Sequence, residues 1–64
     1  GFKEYVTTKR ISYAKELLRF SDRSVSEISE MLGYENTEYF IALFKKYEHT
    51  TPLAFRKKWQ NLKA

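Results

Sequence analysis

Cysteine is absent from the 64 residues, histidine and proline occur once each, and glycine occurs twice. Without cysteine the chain has neither a disulfide framework nor a thiolate zinc site, and a reducing cell interior is the expected home. His49 stands alone, with no second histidine and no paired carboxylates at a useful spacing, so it reads as a turn residue. No nucleophile with a base, no metal cluster and no phosphate-cradling loop is present. An enzyme is therefore the least expected class, and no cofactor is implied. No apolar run approaches the roughly 18 residues of a membrane span, and the first residues lack the order of a signal peptide. A soluble, cytoplasmic chain with no membrane partner is expected. It begins Gly1-Phe2 without an initiator methionine, and the expectation is a fragment of a longer protein.

Aromatic residues are plentiful: five phenylalanines, five tyrosines and Trp59. A chain this short buries only about 60% of its unfolded surface. Rings of about 150–250 Å² each are what such a small core needs. Most of the tyrosines are expected in or beside core stripes. The net charge is +4, unevenly placed: residues 1–19 sum to +3, residues 20–44 to −4 and residues 45–64 to +5. Basic ends suit a polyanion if the fold brings them to one side, and otherwise form a solvated surface.

Helical spacing dominates and strand signals are weak, so the expected fold class is all-α, with four helices in one domain. A first helix is predicted over about residues 3–20, with Ile11, Ala14, Leu17 and Leu18 inward. Ser24-Val25-Ser26-Glu27 matches a capping box and opens a second helix with Val25, Ile28, Met31 and Leu32 inward. Gly33 stops it, because glycine adopts the left-handed conformation without steric cost. Asn36 is a good N-cap for a third helix, whose Phe40, Leu43, Phe44 and Tyr47 form an inner stripe. Thr51-Pro52 opens a last helix, about residues 52–62, with Phe55, Trp59 and Leu62 inward. Arg56 is left open between gripping a phosphate and pairing with a carboxylate.

A short capped helix, a tight glycine turn and a longer helix, together about residues 24–47, form the pattern of a helix-turn-helix that lays its second helix in the DNA major groove. The side of the third helix opposite its core stripe carries Glu38, Ile41, Ala42 and Lys45. There Ile41 and Ala42 suit thymine methyls, Glu38 suits cytosine N4, and Thr37 suits several bases. Phosphate contacts are assigned to Lys45 and Lys46 and to the helix starts at Ser24 and Asn36. The plain alternative for Glu38, Ile41 and Ala42 is ordinary surface. A different functional class is a helical protein-interaction module docking through the Ile41/Ala42 face.

The order of residues resembles the AraC/XylS-type bacterial transcription regulators. It is carried by Arg10-Ile11, Ala14, Leu17-Leu18, Val25, Glu27-Ile28, Gly33-Tyr34, Tyr39-Phe40, Phe44-Lys45-Lys46, Thr51-Pro52 and Phe55-Arg56. The resemblance implies the second of two helix-turn-helix units, homeodomain-like, with residues 3–20 as the helix joining them. It implies double-stranded DNA as partner, RNA polymerase as a candidate partner, and further sensing or dimerisation domains elsewhere. It also implies base contacts from Thr37, Glu38, Ile41 and Ala42, with the aromatics and Pro52 as scaffold. Ser29 replaces the usual alanine and needs a hydroxyl partner. His49 replaces the usual glycine after the recognition helix, so it is either a strained left-handed residue or part of a different turn.

Overall fold

The structure, a computed structural model, describes residues 1–63, with side chains through residue 60. Leu62, expected inward, has its side chain outside the described residues. Four helices follow in order: α1 Phe2–Phe20, α2 Val25–Met31, α3 Thr37–Glu48 and α4 Pro52–Lys63. Among the described residues no strand occurs and no helix is long and apolar enough to cross a membrane.

α1 buries Ile11, Ala14 and Leu18, one face of a 3.6-residue repeat. Its last carbonyls would be orphaned. Ser21 closes one of them, its Oγ and backbone N–H both donating to the Leu17 carbonyl at 2.7 and 3.1 Å. Arg56, 35 or more residues away, reaches this end as well: its guanidinium donates to the carbonyls of Leu18 at 3.0 Å, Leu17 at 3.5 Å and Ser21 at 3.1 Å. Neither role left open for Arg56 is the one observed. A cation at a helix C-terminus also meets the negative end of the macrodipole. Arg56→Leu is expected to lower stability by about 2 kcal/mol, with Arg56→Lys failing to restore it because an ammonium cannot fork across three acceptors. Urea denaturation of both variants would show a wrong assignment if lysine behaved like arginine.

α2 starts on the capping box: Ser24 Oγ accepts from the Glu27 N–H, and the Glu27 carboxylate accepts from the Ser24 N–H, both at 3.1 Å. Those bonds to Ser24, with Arg23 nearby, hold the Glu27 carboxyl below its ordinary 4.5. A carboxyl with a depressed folded-state pKa contributes stability present above its unfolded value, which is lost as pH falls through the folded value. Below about pH 4.5 the α2 start should therefore loosen, read as a Ser24 amide shift that Glu27→Gln abolishes. At the other end Gly33 N–H bonds to the Glu30 carbonyl and Tyr34 N–H to the Ser29 carbonyl, both at 3.0 Å, with Gly33 at φ +89°. This is a Schellman closure, which needs a left-handed residue at Gly33.

One residue of the expected α2 stripe is corrected, and the others hold. Met31 is exposed, whereas Leu32, just past the last helical residue, swings into the core. Ser29 is fully buried, and its hydroxyl donates to the Tyr34 carbonyl at 3.3 Å, which supplies the partner it needs.

α3 is capped by Asn36, whose Oδ1 accepts from the Tyr39 N–H at 3.1 Å. Phe40 and Phe44 are completely buried. They lie in a run of rings: Tyr34 to Phe40 at 5.6 Å, Phe40 to Phe44 at 6.1 Å, Phe44 edge-on to Phe55 at 5.7 Å, and Phe55 to Trp59 at 6.1 Å. The helix ends at His49 with φ 64° and ψ 16°. A left-handed non-glycine residue costs about 1 kcal/mol, so the usual turn is kept under strain. α4 opens as expected: Thr51 Oγ1 accepts from the Ala54 N–H at 3.2 Å, and Pro52 is buried.

The aromatic inventory divides. Tyr5, Tyr13 and Tyr39 are exposed, not in the core as expected, and so are Phe2 and Phe20. The three shorter helices cover one side of α1, and rings on its other side stay at the surface. Trp59 is partly buried and carries the Arg19 guanidinium on its face at 3.9 Å. The Tyr34 hydroxyl is sealed from solvent without a hydrogen-bond partner among the described residues, although the Arg10 guanidinium lies 5.3 Å from its ring centre. Since an unsatisfied buried hydroxyl is costly, Tyr34→Phe should raise stability by about 1 kcal/mol; a measured loss in thermal denaturation would mean the hydroxyl has a partner.

Candidate nucleic-acid interface

The bend between α2 and α3 decides what α3 can offer. Because the chain reverses at Gly33 and restarts at Asn36, α2 braces α3 from one side, and Phe40 and Phe44 anchor it to α1 and α4. The opposite side stays open. Glu38, Ala42, Lys45 and Lys46 are all exposed, and Thr37 is half-buried at the first turn. The face proposed from sequence to read DNA is thus not sealed within the protein.

Ile41 is the exception. It is half-buried and packs against the core cluster, so it sits on the flank of the open face and not at its centre. Conversely Leu43, expected in the inner stripe, lies outside the buried cluster and lines a shallow groove with Tyr39, Ala42 and Lys46. The open face is therefore turned away from Ile41 and toward Tyr39 and Leu43. Sequence reasoning missed Tyr39 and Leu43 because period alone cannot say which flank of a stripe a neighbouring helix will cover. The available signal was that Tyr39 and Leu43 are four residues apart and adjoin Ala42 and Lys46 on the helical wheel.

The remaining candidates are placed as follows. Asn36 is exposed and uses its side-chain oxygen in the cap, so its NH₂ group retains hydrogen-bonding capacity for a phosphate. Ser24 is exposed, but its hydroxyl and amide are both engaged with Glu27, whose negative charge occupies that helix start. Lys45 and Lys46 form the basic last turn of α3. Lys15 and Glu48 pair at 3.3 Å and tie α1 to the end of α3. That pair neutralises the one acidic group next to the two lysines. A second groove, between the start of α1 and the start of α3, is lined by Lys3, Thr7 and Arg10 alongside Phe2, Val6, Tyr34, Tyr39 and Leu43. The open face of α3 thus runs from Glu38 at one end to two lysines at the other.

A capped seven-residue helix, a left-handed glycine turn and a twelve-residue helix with a free outer face define a helix-turn-helix module. Comparison with known proteins gives the same answer. Residues 1–58 match the family described as "Helix-turn-helix domain". The chain is 44% identical over 59 residues to the uncharacterised transcriptional regulatory protein YesN of Bacillus subtilis (strain 168), covering 89% of this chain and 16% of that protein. It is 39% identical over 51 residues to the transcriptional activator PerA of Escherichia coli O127:H6, covering 80% and 19%. Among solved structures, the C-terminal domain of the two-component response regulator yesN from Fusobacterium nucleatum aligns with a TM-score of 0.86 and 41% identity, over 88% of this chain and 54% of that one. The chain belongs to the AraC-type helix-turn-helix family. It spans a fifth or less of the length of these two curated relatives.

Proposed function

We propose that the chain binds double-stranded DNA as part of a bacterial transcription regulator, with α3 entering the major groove. One observation carries the reading: Gly33 bends the chain so that Phe40 and Phe44 fill the core while Glu38, Ala42, Lys45 and Lys46 stay open on the other side of one helix. Base edges are assigned to Thr37, Glu38 and Ala42, with Ile41 at the margin and Tyr39 and Leu43 added beside Ala42. Lys45, Lys46 and the Asn36 side chain take phosphates, and Ser24 serves chiefly to hold α2 in position. A regulator of this kind works where the DNA is, in the bacterial cytoplasm. It also implies a preceding helix-turn-helix unit, with an effector or dimerisation domain in the intact protein.

Titration with duplex DNA, followed by amide shifts, tests this. Shifts should concentrate between residues 36 and 46, and affinity should fall steeply between about 50 and 200 mM salt as counterions are released. Shifts confined to other residues would refute the docking. A second reading is favoured by the groove of Tyr39, Ala42 and Leu43: an apolar helix face docking on a protein such as RNA polymerase. Association that barely responds to salt would favour it.

A further inference from the structure

The middle of the open α3 face carries little hydrogen-bonding chemistry. Tyr39, Ala42, Leu43 and Lys46 stand at i, i+3, i+4 and i+7, one stripe of the helix, and together they line the shallow groove on its outer side. The Tyr39 ring is steadied from behind by Tyr34, with ring centres 6.0 Å apart. α3 holds no arginine, asparagine or glutamine, and its lysines stand in the last turn. Guanine is commonly read by a basic side chain bridging O6 and N7, and adenine by an asparagine or glutamine bonded to N6 and N7. The groove's middle therefore offers no donor pair for guanine and no amide for adenine. A guanine opposite Ala42 would lose water from O6 and N7 with nothing given in return, which disfavours it.

Thymine presents something else, an apolar C5-methyl on its major-groove edge. Ala42 and Leu43 supply aliphatic walls for such a group and Tyr39 a flat one, while the Lys46 stem can lie along the groove with its ammonium on a phosphate. Lys45 adds a second cation in the same turn, so the groove is apolar along its floor and positive at one end. That combination suits a methyl group bordered by phosphates. An apolar ridge of another protein would leave both ammonium groups without counter-charge. We propose, building on the reading that α3 enters the major groove, that the groove of Tyr39, Ala42, Leu43 and Lys46 takes the C5-methyl of thymine. The unit then selects thymine by an apolar contact and not by hydrogen bonds, with Glu38 left to cytosine one turn earlier.

Duplexes of alternating d(A-T) and alternating d(A-U) carry the same hydrogen-bonding groups in the major groove and differ in the C5-methyl. Binding of the 64-residue chain to each, followed by fluorescence anisotropy at low salt, should favour d(A-T) by about three- to tenfold, since one buried methyl is worth roughly fourfold. In the Ala42→Asn and Leu43→Asn chains that preference should fall below about twofold, with both duplexes still held through Lys45 and Lys46. Ala42 is exposed, so its variant should keep the helix content of the parent by circular dichroism, and it decides the matter if the Leu43 variant unfolds. Equal affinity of the parent chain for the two duplexes would overturn the methyl contact and leave DNA binding standing. A preference for d(A-T) that survives Ala42→Asn would also overturn it, because duplex shape would then be the cause. Failure to bind either duplex would remove the DNA-binding reading and the methyl contact with it.

Discussion

Replacing Phe44 by alanine should leave the chain without a cooperative unfolding transition. Phe44 is completely buried and joins the two halves of the ring run, between Phe40 on its own helix and Phe55 on α4. Truncating a buried phenylalanine costs about 3–5 kcal/mol through lost burial and the cavity left behind. A domain of this length holds only roughly 3–10 kcal/mol in all. There is little slack, because no disulfide holds the fold together. Phe44→Leu, which keeps most of the volume, should retain a transition at a lower midpoint. Calorimetry distinguishes these outcomes, and a sharp transition in the alanine variant near that of the parent would mean the rings are not the core's main support.

The second large effect concerns the open face of α3. Ala42→Glu should cut duplex affinity at least about a hundredfold, the equivalent of several kcal/mol for a charge set against like charges. The substitution sets a second carboxylate one turn beyond Glu38, where a groove edged by phosphates would meet it. Since Ala42 is exposed, thermal stability should change little, which separates a binding defect from a folding defect. Ile41→Glu is the less clean test, because Ile41 packs against the core and its loss would damage both. Unchanged DNA affinity for a well-folded Ala42→Glu chain would rule out this face.

Most of the helix boundaries were legible from residues alone. Ser24 with Glu27, Gly33, Asn36 and Thr51-Pro52 each mark an end, and each acts through bonds reaching only a few residues along the chain. Such bonds are written in local order, so the sequence carries them completely. His49 shows the same logic under strain: the turn is kept although glycine is missing from it.

What a helix faces is a different kind of information. The 3.6-residue period places the middle of a buried stripe, and Ile11, Ala14, Leu18, Phe40 and Phe44 were all read correctly from it. Residues about a quarter-turn from that middle are undetermined, because their fate depends on where neighbouring axes pass. That is why Ile41 is half-buried, Leu43 lies outside the core, Met31 points out and Leu32 in. Arg56 is the extreme case, since its acceptors lie 35 to 39 residues away. Sequence by itself determined where most helices of this protein start and stop, and that α3 has one apolar side. Tertiary structure alone decided how far α3 is rotated, which side chains its open face presents and which arginine closes α1, because those depend on contacts between segments whose relative placement no local pattern encodes.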